Sequence, residues 1–131
     1  MKYPWLLLIF LSVFSCNSMS QDNTEIVQKA LNIPEVRKYF HPEMKSRTPY
    51  YLLKTDYVDK GSELFIFGIP TTIIEEQNIR NENYIEITRF IKNNSEVKIS
   101  YYYKIENIEV SAELKKVNGK WQVKSYKTFQ F

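Results

Sequence analysis

Cysteine and histidine are almost missing from this sequence of 131 residues, which has one of each, Cys16 and His41. A single cysteine excludes an intrachain disulfide and any zinc site built from several thiolates. With one histidine, no multi-histidine metal site can form, and a histidine-based triad would have to be built around His41. Glycine is also scarce, with three residues, which argues against a disordered or low-complexity chain. We therefore expect a folded domain without a metal or a cofactor.

Neither sign of charge dominates the sequence. It has 18 Lys and Arg against 15 Asp and Glu, a formal net charge of +3. This excess is too small to indicate nucleic acid binding, so we expect no nucleic acid partner. Several lysines gather near the C-terminus: Lys115, Lys116, Lys120, Lys124 and Lys127. We interpret them as the solvated, protective face of a terminal hairpin; the alternative is contact with anionic lipid or glycan.

A long apolar run is missing as well. Lys2 precedes ten uncharged residues, Trp5 to Phe14, in the order of the charged and apolar regions of a signal peptide. A membrane-spanning helix needs about 18 or more apolar residues, so this segment is too short to remain in a membrane. We predict that residues 1–15 are a signal peptide and are removed.

Two cleavage sites compete directly after this run. Residues 13–16, Val-Phe-Ser-Cys, resemble a bacterial lipobox, whose cysteine is lipidated and becomes the first residue of the mature protein. Alternatively, cleavage after Ser18-Met19-Ser20 would release a soluble periplasmic or secreted chain at Gln21. We favour lipidation of Cys16, because a lone cysteine in this place has few other uses. Two or three acyl chains would hold the protein stably at a membrane of the bacterial cell envelope.

The predicted tether, residues 16–22, leads into a single domain, residues 23–131. Asp-Asn-Thr-Glu at 22–25 has the spacing of a helix N-cap with an acid three residues on, and apolar residues follow at helical spacing. This pattern predicts a helix over about residues 23–32. Pro34 at a first-turn position predicts a second short helix that stops before His41-Pro42.

From Tyr50 onward, apolar and polar residues alternate as in strands. The segments 50–58 and 63–69 read as two adjacent strands joined by the turn Asp-Lys-Gly-Ser, and Pro70 interrupts before the next segment. Three longer strands follow over about residues 85–114. Asn118-Gly119 is a strong hairpin signal that joins the last pair of strands. The final strand continues with Trp121, Val123 and Phe129.

Each predicted strand is apolar on one face and mixed on the other, as in a sheet that helices cover on a single side. The predicted fold is α+β, with one or two N-terminal helices packed on a curved antiparallel sheet of five or six strands. We expect the long C-terminal strands to form a meander.

The segment from Ala112 to Val123, AELKKVNGKWQV, resembles the closing hairpin of NTF2-like proteins, with a basic strand, an Asn-Gly turn and a Lys-Trp strand. The cystatin-like fold, a helix wrapped by an antiparallel sheet, has a similar order of elements. The resemblance implies a hydrophobic pocket between helices and sheet, and in some relatives a carboxylate or an Asp-His pair that performs acid/base chemistry. No catalytic motif of the family can be matched here residue by residue, so the resemblance brings no activity with it.

Tyr101-Tyr102-Tyr103 is the most unusual local feature. Alternation places Tyr101 and Tyr103 on the core face and Tyr102 on the other. Two buried tyrosines need partners for their hydroxyls, so Tyr101 and Tyr103 are the candidate ligand-binding residues of a polar pocket. The alternative is that both are large packing residues of the sheet.

His41 is the only histidine, and we interpret it as a residue at a helix end rather than a catalytic group. To act as a base, His41 would need a carboxylate beside it, such as Glu43, Asp56 or Asp59. Glu75-Glu76 and Asp56/Asp59 could supply acid/base or metal pairs, but they lie at predicted strand ends or turns, where solvated charges are common. We assign no catalytic residue and no metal ligand.

These observations favour a non-catalytic envelope lipoprotein that binds a small apolar ligand or a protein partner. A second hypothesis is a small NTF2-like enzyme with a buried carboxylate or His41 as its base. A third is a secreted inhibitor or immunity-type protein that docks a loop or an edge strand into an enzyme's cleft.

Overall fold

The computed structural model describes residues 21–131; the predicted signal peptide, the lipidation site Cys16 and most of the tether lie outside the described residues. Within the part of the chain that the structure describes, no helix is both long enough and apolar enough to cross a membrane. These residues form an α+β fold, in which N-terminal helices share one core with a single sheet.

Two short helices precede the sheet, as the sequence predicts. The described part of the first helix, α1, is residues 21–31, so Asp22 lies within the helix and is not the N-cap that the spacing predicts. Its buried residues follow helical spacing: Ile26, Val27, Ala30 and Leu31. A 3₁₀ turn over Pro34–Val36 leads into α2, Arg37–Phe40, which ends where His41 adopts a left-handed φ of 49°. The second helix and its end before Pro42 are therefore confirmed.

Buried tyrosines from the sheet close both helices at their C-terminal ends. In α1 the carbonyl of Ala30 would pair with the N–H of residue 34, but Pro34 has none. The hydroxyl of Tyr101 donates to this carbonyl at 2.9 Å. The hydroxyl of Tyr50 donates to the carbonyl of Phe40, the last residue of α2, at 2.6 Å. Burial raises the pKa of both tyrosines, so both remain protonated donors.

The sheet has seven strands in the order β2-β3-β1-β4-β5-β6-β7. Their bounds are Tyr50–Leu53 (β1), Leu64–Ile66 (β2), Ile69–Ile74 (β3), Tyr84–Lys92 (β4), Glu96–Tyr103 (β5), Ile108–Val117 (β6) and Lys120–Gln130 (β7). Most neighbours are antiparallel, but β1 runs parallel to both β3 and β4. The sheet is thus mixed and larger than the antiparallel sheet of five or six strands that we predicted.

The two segments predicted as adjacent strands do not pair with each other. Phe67 and Gly68 have φ values of 48° and 83° and form a two-residue turn that joins β2 to β3. β1 is therefore left to pair with β3, with Tyr50 opposite Thr71. Pro70 lies one residue before Thr71, the first residue of β3 that pairs with β1. Its missing N–H therefore does not interrupt the pairing of these two strands.

The C-terminal strands form the predicted meander, from β4 to β7. Asn118 and Gly119 have φ values of 50° and 78°, and Val117 pairs with Lys120 across this two-residue turn. The register of β7 shifts by one residue where it pairs with Glu113 and Leu114. A one-residue shift exchanges the two faces of a strand, and it places Phe129 opposite Glu109 on the outer face, away from Trp121.

Candidate functional site

The candidate site is a groove between the C-terminal end of α1 and the last strand, which we call the α1–β7 groove. It has a volume of about 600 Å³. One wall is formed by α1 and the turn after it, and the other by β7. Its lining residues are Lys29, Asn32, Ile33, Pro34, Glu35, Val123, Lys124, Ser125 and Tyr126.

The floor of the groove is a part of the core face that the helices leave uncovered. Val123 pairs with Leu114, and Tyr126 pairs with Ala112, so both lie on the same face as these buried residues of β6. Yet Val123 and Tyr126 are each 37% exposed. Among the residues of β7, Trp121 is fully buried, whereas those after it are exposed. The helices therefore cover the start of β7 and not its continuation.

The rim of the groove is charged. Lys29 and Glu35 are exposed on the helical side, and Lys124 is exposed on the strand side. An apolar floor with a polar rim is the usual composition of a surface that binds another molecule.

The two edges of the sheet differ. At the β2 edge, side chains of α1 take the place of a neighbouring strand, because Gln28 and Asn32 lie one turn apart on the same helix face. Gln28 accepts from Phe65 N at 2.9 Å and also donates to Phe65 O. Asn32 accepts from Phe67 N and donates to Phe65 O, both at 2.7 Å. At the opposite edge, β6 is the one strand that β7 borders, and beyond Trp121 no side chain of the described residues takes the place of a further strand.

The first described turn of α1 is held to the sheet by Asp22. Its carboxylate lies 2.6 Å from Lys92 Nζ and 3.3 Å from Lys116 Nζ, and it accepts from Trp121 Nε1 at 2.7 Å. Burial alone would raise the pKa of Asp22, but the hydrogen bonds from Lys92, Trp121 and Lys116 outweigh it and hold the pKa below its usual value. Glu25 accepts from Trp121 N at 2.9 Å, so two acids of α1 hold the same tryptophan.

His41 belongs to a second polar cluster, on the loop after α2. Its Nε2 lies 3.1 Å from Glu106, a carboxylate that the sequence analysis did not single out, and its Nδ1 lies 3.7 Å from Glu43. Glu106 also accepts from Arg47 Nη1 at 2.8 Å. These contacts tie the loop after α2 to the turn between β5 and β6. The 3₁₀ turn Lys104–Glu106 supplies Glu106, so only the tertiary fold brings the cluster together.

The predicted ligand-binding tyrosines both lie in the core and not in the α1–β7 groove. Tyr101 is 1% exposed and is used as the cap of α1. Tyr103 is fully buried, and its ring stacks on Phe40 with the centroids 4.7 Å apart. No residue from 21 to 131 forms a well-aligned hydrogen bond with the Tyr103 hydroxyl. Burial raises its pKa, and the nearby Arg47 acts in the opposite direction. Ligand binding by these two tyrosines stays a prediction.

The predicted carboxylate pairs are separated by the fold. Glu75 lies 3.5 Å from Lys54 and 3.4 Å from Lys60, so lysines surround it. Glu76 begins an exposed 3₁₀ turn, and Asp56 is exposed. Across residues 21–131, no group of three or more acids, histidines or cysteines is arranged to hold a metal ion.

Comparison of the chain with protein-family models, with curated proteins and with solved structures found no significant match.

Proposed function

We propose that the chain is a non-catalytic binding protein of the bacterial cell envelope, held to a membrane through a lipidated Cys16, and that it binds a partner in the α1–β7 groove. The observation that carries this proposal is the exposure of Val123 and Tyr126 on the core-facing side of β7. Apolar side chains on that face are normally covered, and here the covering helix ends before it reaches them.

The groove favours a protein partner over a small apolar ligand. A small-ligand site encloses most of its ligand, whereas this groove is open along exposed residues of β7. At about 25 cal/mol per Å² of apolar surface, covering the exposed parts of Val123 and Tyr126 contributes about 2 to 3 kcal/mol. This is enough for two contacts of a larger interface and too little for tight binding of a small molecule alone.

The direction of α1 fits a membrane tether. Asp22 follows Cys16 in the chain by six residues, a segment that spans at most about 20 Å when extended. The tether therefore leads into α1 at Asp22, whereas the α1–β7 groove lies at the C-terminal end of that helix. The proposed anchor and the proposed binding site are thus at opposite ends of the described part of α1.

We also propose the fold as a distant relative of the NTF2-like and cystatin-like folds. The supporting features are helices that precede the sheet and long antiparallel strands at the end, closed by Asn118-Gly119. The parallel pairing of β1 is a departure from an antiparallel sheet.

An NTF2-like enzyme with His41 as its base is the second candidate, and one contact favours it, the 3.1 Å separation of His41 Nε2 and Glu106. Glu106 is shared with Arg47, however, and the α1–β7 groove lies elsewhere on the domain. Titration of the His41 imidazole by NMR decides the point. A pKa that Glu106→Gln leaves unchanged would exclude the pair as a tuned acid/base unit.

Native mass spectrometry of the mature protein, extracted from membranes in mild detergent, tests the first proposal. We expect a chain that starts at Cys16 with added acyl mass and retains a second polypeptide. Tyr126→Ser in the groove should release this polypeptide. Phe129→Ser is the matched control, because Phe129 is 48% exposed on the outer face of the same strand. A bare chain that starts at Gln21 would contradict the lipid anchor. A polypeptide that Tyr126→Ser retains would contradict the groove.

A further inference from the structure

The free edge of β7 carries backbone groups that are set to pair with another strand. Phe131 N donates to the carbonyl of Asn107 at 3.0 Å, which marks residues 107 and 131 as a hydrogen-bonded position of the β6–β7 ladder. Hydrogen-bonded and non-hydrogen-bonded pairs alternate along an antiparallel ladder. The registered pairs therefore direct the N–H and C=O of Tyr126, Thr128 and Gln130 away from β6.

The same residues have their side chains on the core face, next to the groove. An added strand would lie about 4.8 Å from β7, and every second side chain of that strand would point to the same face. These side chains would enter the α1–β7 groove beside Tyr126 and Ile33. The groove and the free edge are thus two parts of one site. The other edge of the sheet is already filled by Gln28 and Asn32.

The charges around this site favour a negatively charged incoming strand. Lys124 of β7 and Lys29 of α1 line the groove, and Lys120 and Lys127 are exposed on the outer face of the same edge strand. Among the described residues that line the groove, Glu35 is the one acid, while Glu109 and Glu113 of β6 lie beside Lys127 on the outer face. Lysines on an edge strand commonly prevent pairing. That role accounts for the lysines but not for the exposed Val123 and Tyr126 between them.

Resting on the proposed function, we propose that the partner contributes an acidic, extended segment that pairs with β7 as an eighth strand and places alternate side chains in the groove. Main-chain hydrogen bonds supply affinity in such strand addition, and side-chain pockets supply selectivity. A second copy of this chain is disfavoured as the occupant, because it would bring the lysines of its own β7 to those already present.

The first test uses the mature lipidated chain in mild detergent and, as the probe, a display library of random decapeptides. We expect the enriched peptides to contain more Asp and Glu than the starting library, with apolar residues at alternate positions. Binding of synthetic copies should weaken as the salt concentration rises, because exposed charges are screened. Enrichment of basic peptides, or no enrichment, overturns the acidic strand.

The second test separates strand pairing from use of the groove. Thr128→Pro removes an outward N–H and spares the bonds to β6, whereas Thr128→Ala keeps the N–H. We expect peptide affinity to fall at least about five-fold in Thr128→Pro and less than about two-fold in Thr128→Ala. Should Thr128→Pro not fold, hydrogen exchange of the unmodified chain gives the answer. Bound peptide should then slow exchange at Tyr126, Thr128 and Gln130, and not at Lys127, which already faces β6.

Each remaining outcome has one meaning. If Tyr126→Ser weakens peptide binding while exchange at the outward amides is unchanged, the groove is used without strand pairing, and only the strand proposal fails. If binding survives both Tyr126→Ser and Thr128→Pro, the proposed function fails as well. If sedimentation shows a dimer that Thr128→Pro converts to a monomer, the occupant is a second copy, and the acidic partner is overturned.

Discussion

Removal of the Asp22 carboxylate should loosen the first described turn of α1 from the sheet. In Asp22→Ala the buried Trp121 Nε1 loses its acceptor, and an unsatisfied buried donor costs about 1 to 3 kcal/mol. The ion pairs with Lys92 and Lys116 add about 1 kcal/mol together, because both lysines are partly exposed. We therefore expect the free energy of unfolding to fall by about 2 to 4 kcal/mol, a large share of the stability of a small domain.

Asp22→Asn separates the charge from the hydrogen bond. The Asn side chain retains an oxygen that can accept from Trp121 Nε1, so the expected loss is smaller, about 1 kcal/mol at neutral pH. Because the pKa of Asp22 is lower in the folded chain than its usual value of 3.8, its charge stabilises the fold above that value. This stabilisation is lost as the pH falls through the lowered pKa. The difference in the free energy of unfolding between wild type and Asp22→Asn should therefore vanish at pH values below the lowered pKa of Asp22.

Urea unfolding followed by the fluorescence of Trp121 measures these differences, since the other tryptophan, Trp5, lies in the predicted signal peptide. Asp56→Asn is the matched control, because Asp56 is exposed on a turn; we expect a change below about 0.5 kcal/mol. A loss in Asp22→Asn that persists undiminished as the pH falls well below 3.8 would refute the ion pairs as its cause. A loss below about 0.5 kcal/mol in Asp22→Ala would refute the anchoring role altogether.

Two further substitutions test the helix contacts. Tyr101→Phe leaves the carbonyl of Ala30 without its donor, because Pro34 cannot supply one. We expect the free energy of unfolding in urea to fall by about 1 to 2 kcal/mol. An unchanged midpoint would show that water replaces the hydroxyl. Asn32→Ala removes the side chain that pairs with the β2 edge and should lower the free energy of unfolding by about 1 to 2 kcal/mol. Asn94→Ala, on an exposed turn, is the control and should change it little. Equal effects of the two substitutions would contradict the pairing.

Local signals in the sequence were sufficient for the elements whose contacts are local. Pro34 marks the start of the second helix, and Asn118-Gly119 marks the last hairpin, because both act through backbone angles that their own residues set. The alternation in the long strands predicted the meander for a similar reason, since hairpin neighbours are also neighbours in sequence.

The remaining features depend on contacts that no local pattern encodes. The turn at Phe67-Gly68 lacks an Asn-Gly pair, so nothing in the sequence indicated that β2 would pair with β3 and leave β1 to parallel neighbours. The register shift opposite Glu113 and Leu114 exchanged the faces of β7, which moved Tyr126 to the core side and Phe129 to the outer side. Alternation alone therefore could not identify the groove.

The unequal edges of the sheet also bear on how many molecules can join. Because the amides of Gln28 and Asn32 occupy the backbone groups of β2, a sheet that grows from β7 has no second growing end on the same molecule. Pairing through β7 ends after one addition, whether the addition is a partner's segment or another copy. Fibrils need every chain to offer two open edges, and the two side chains of α1 leave this sheet without the second one.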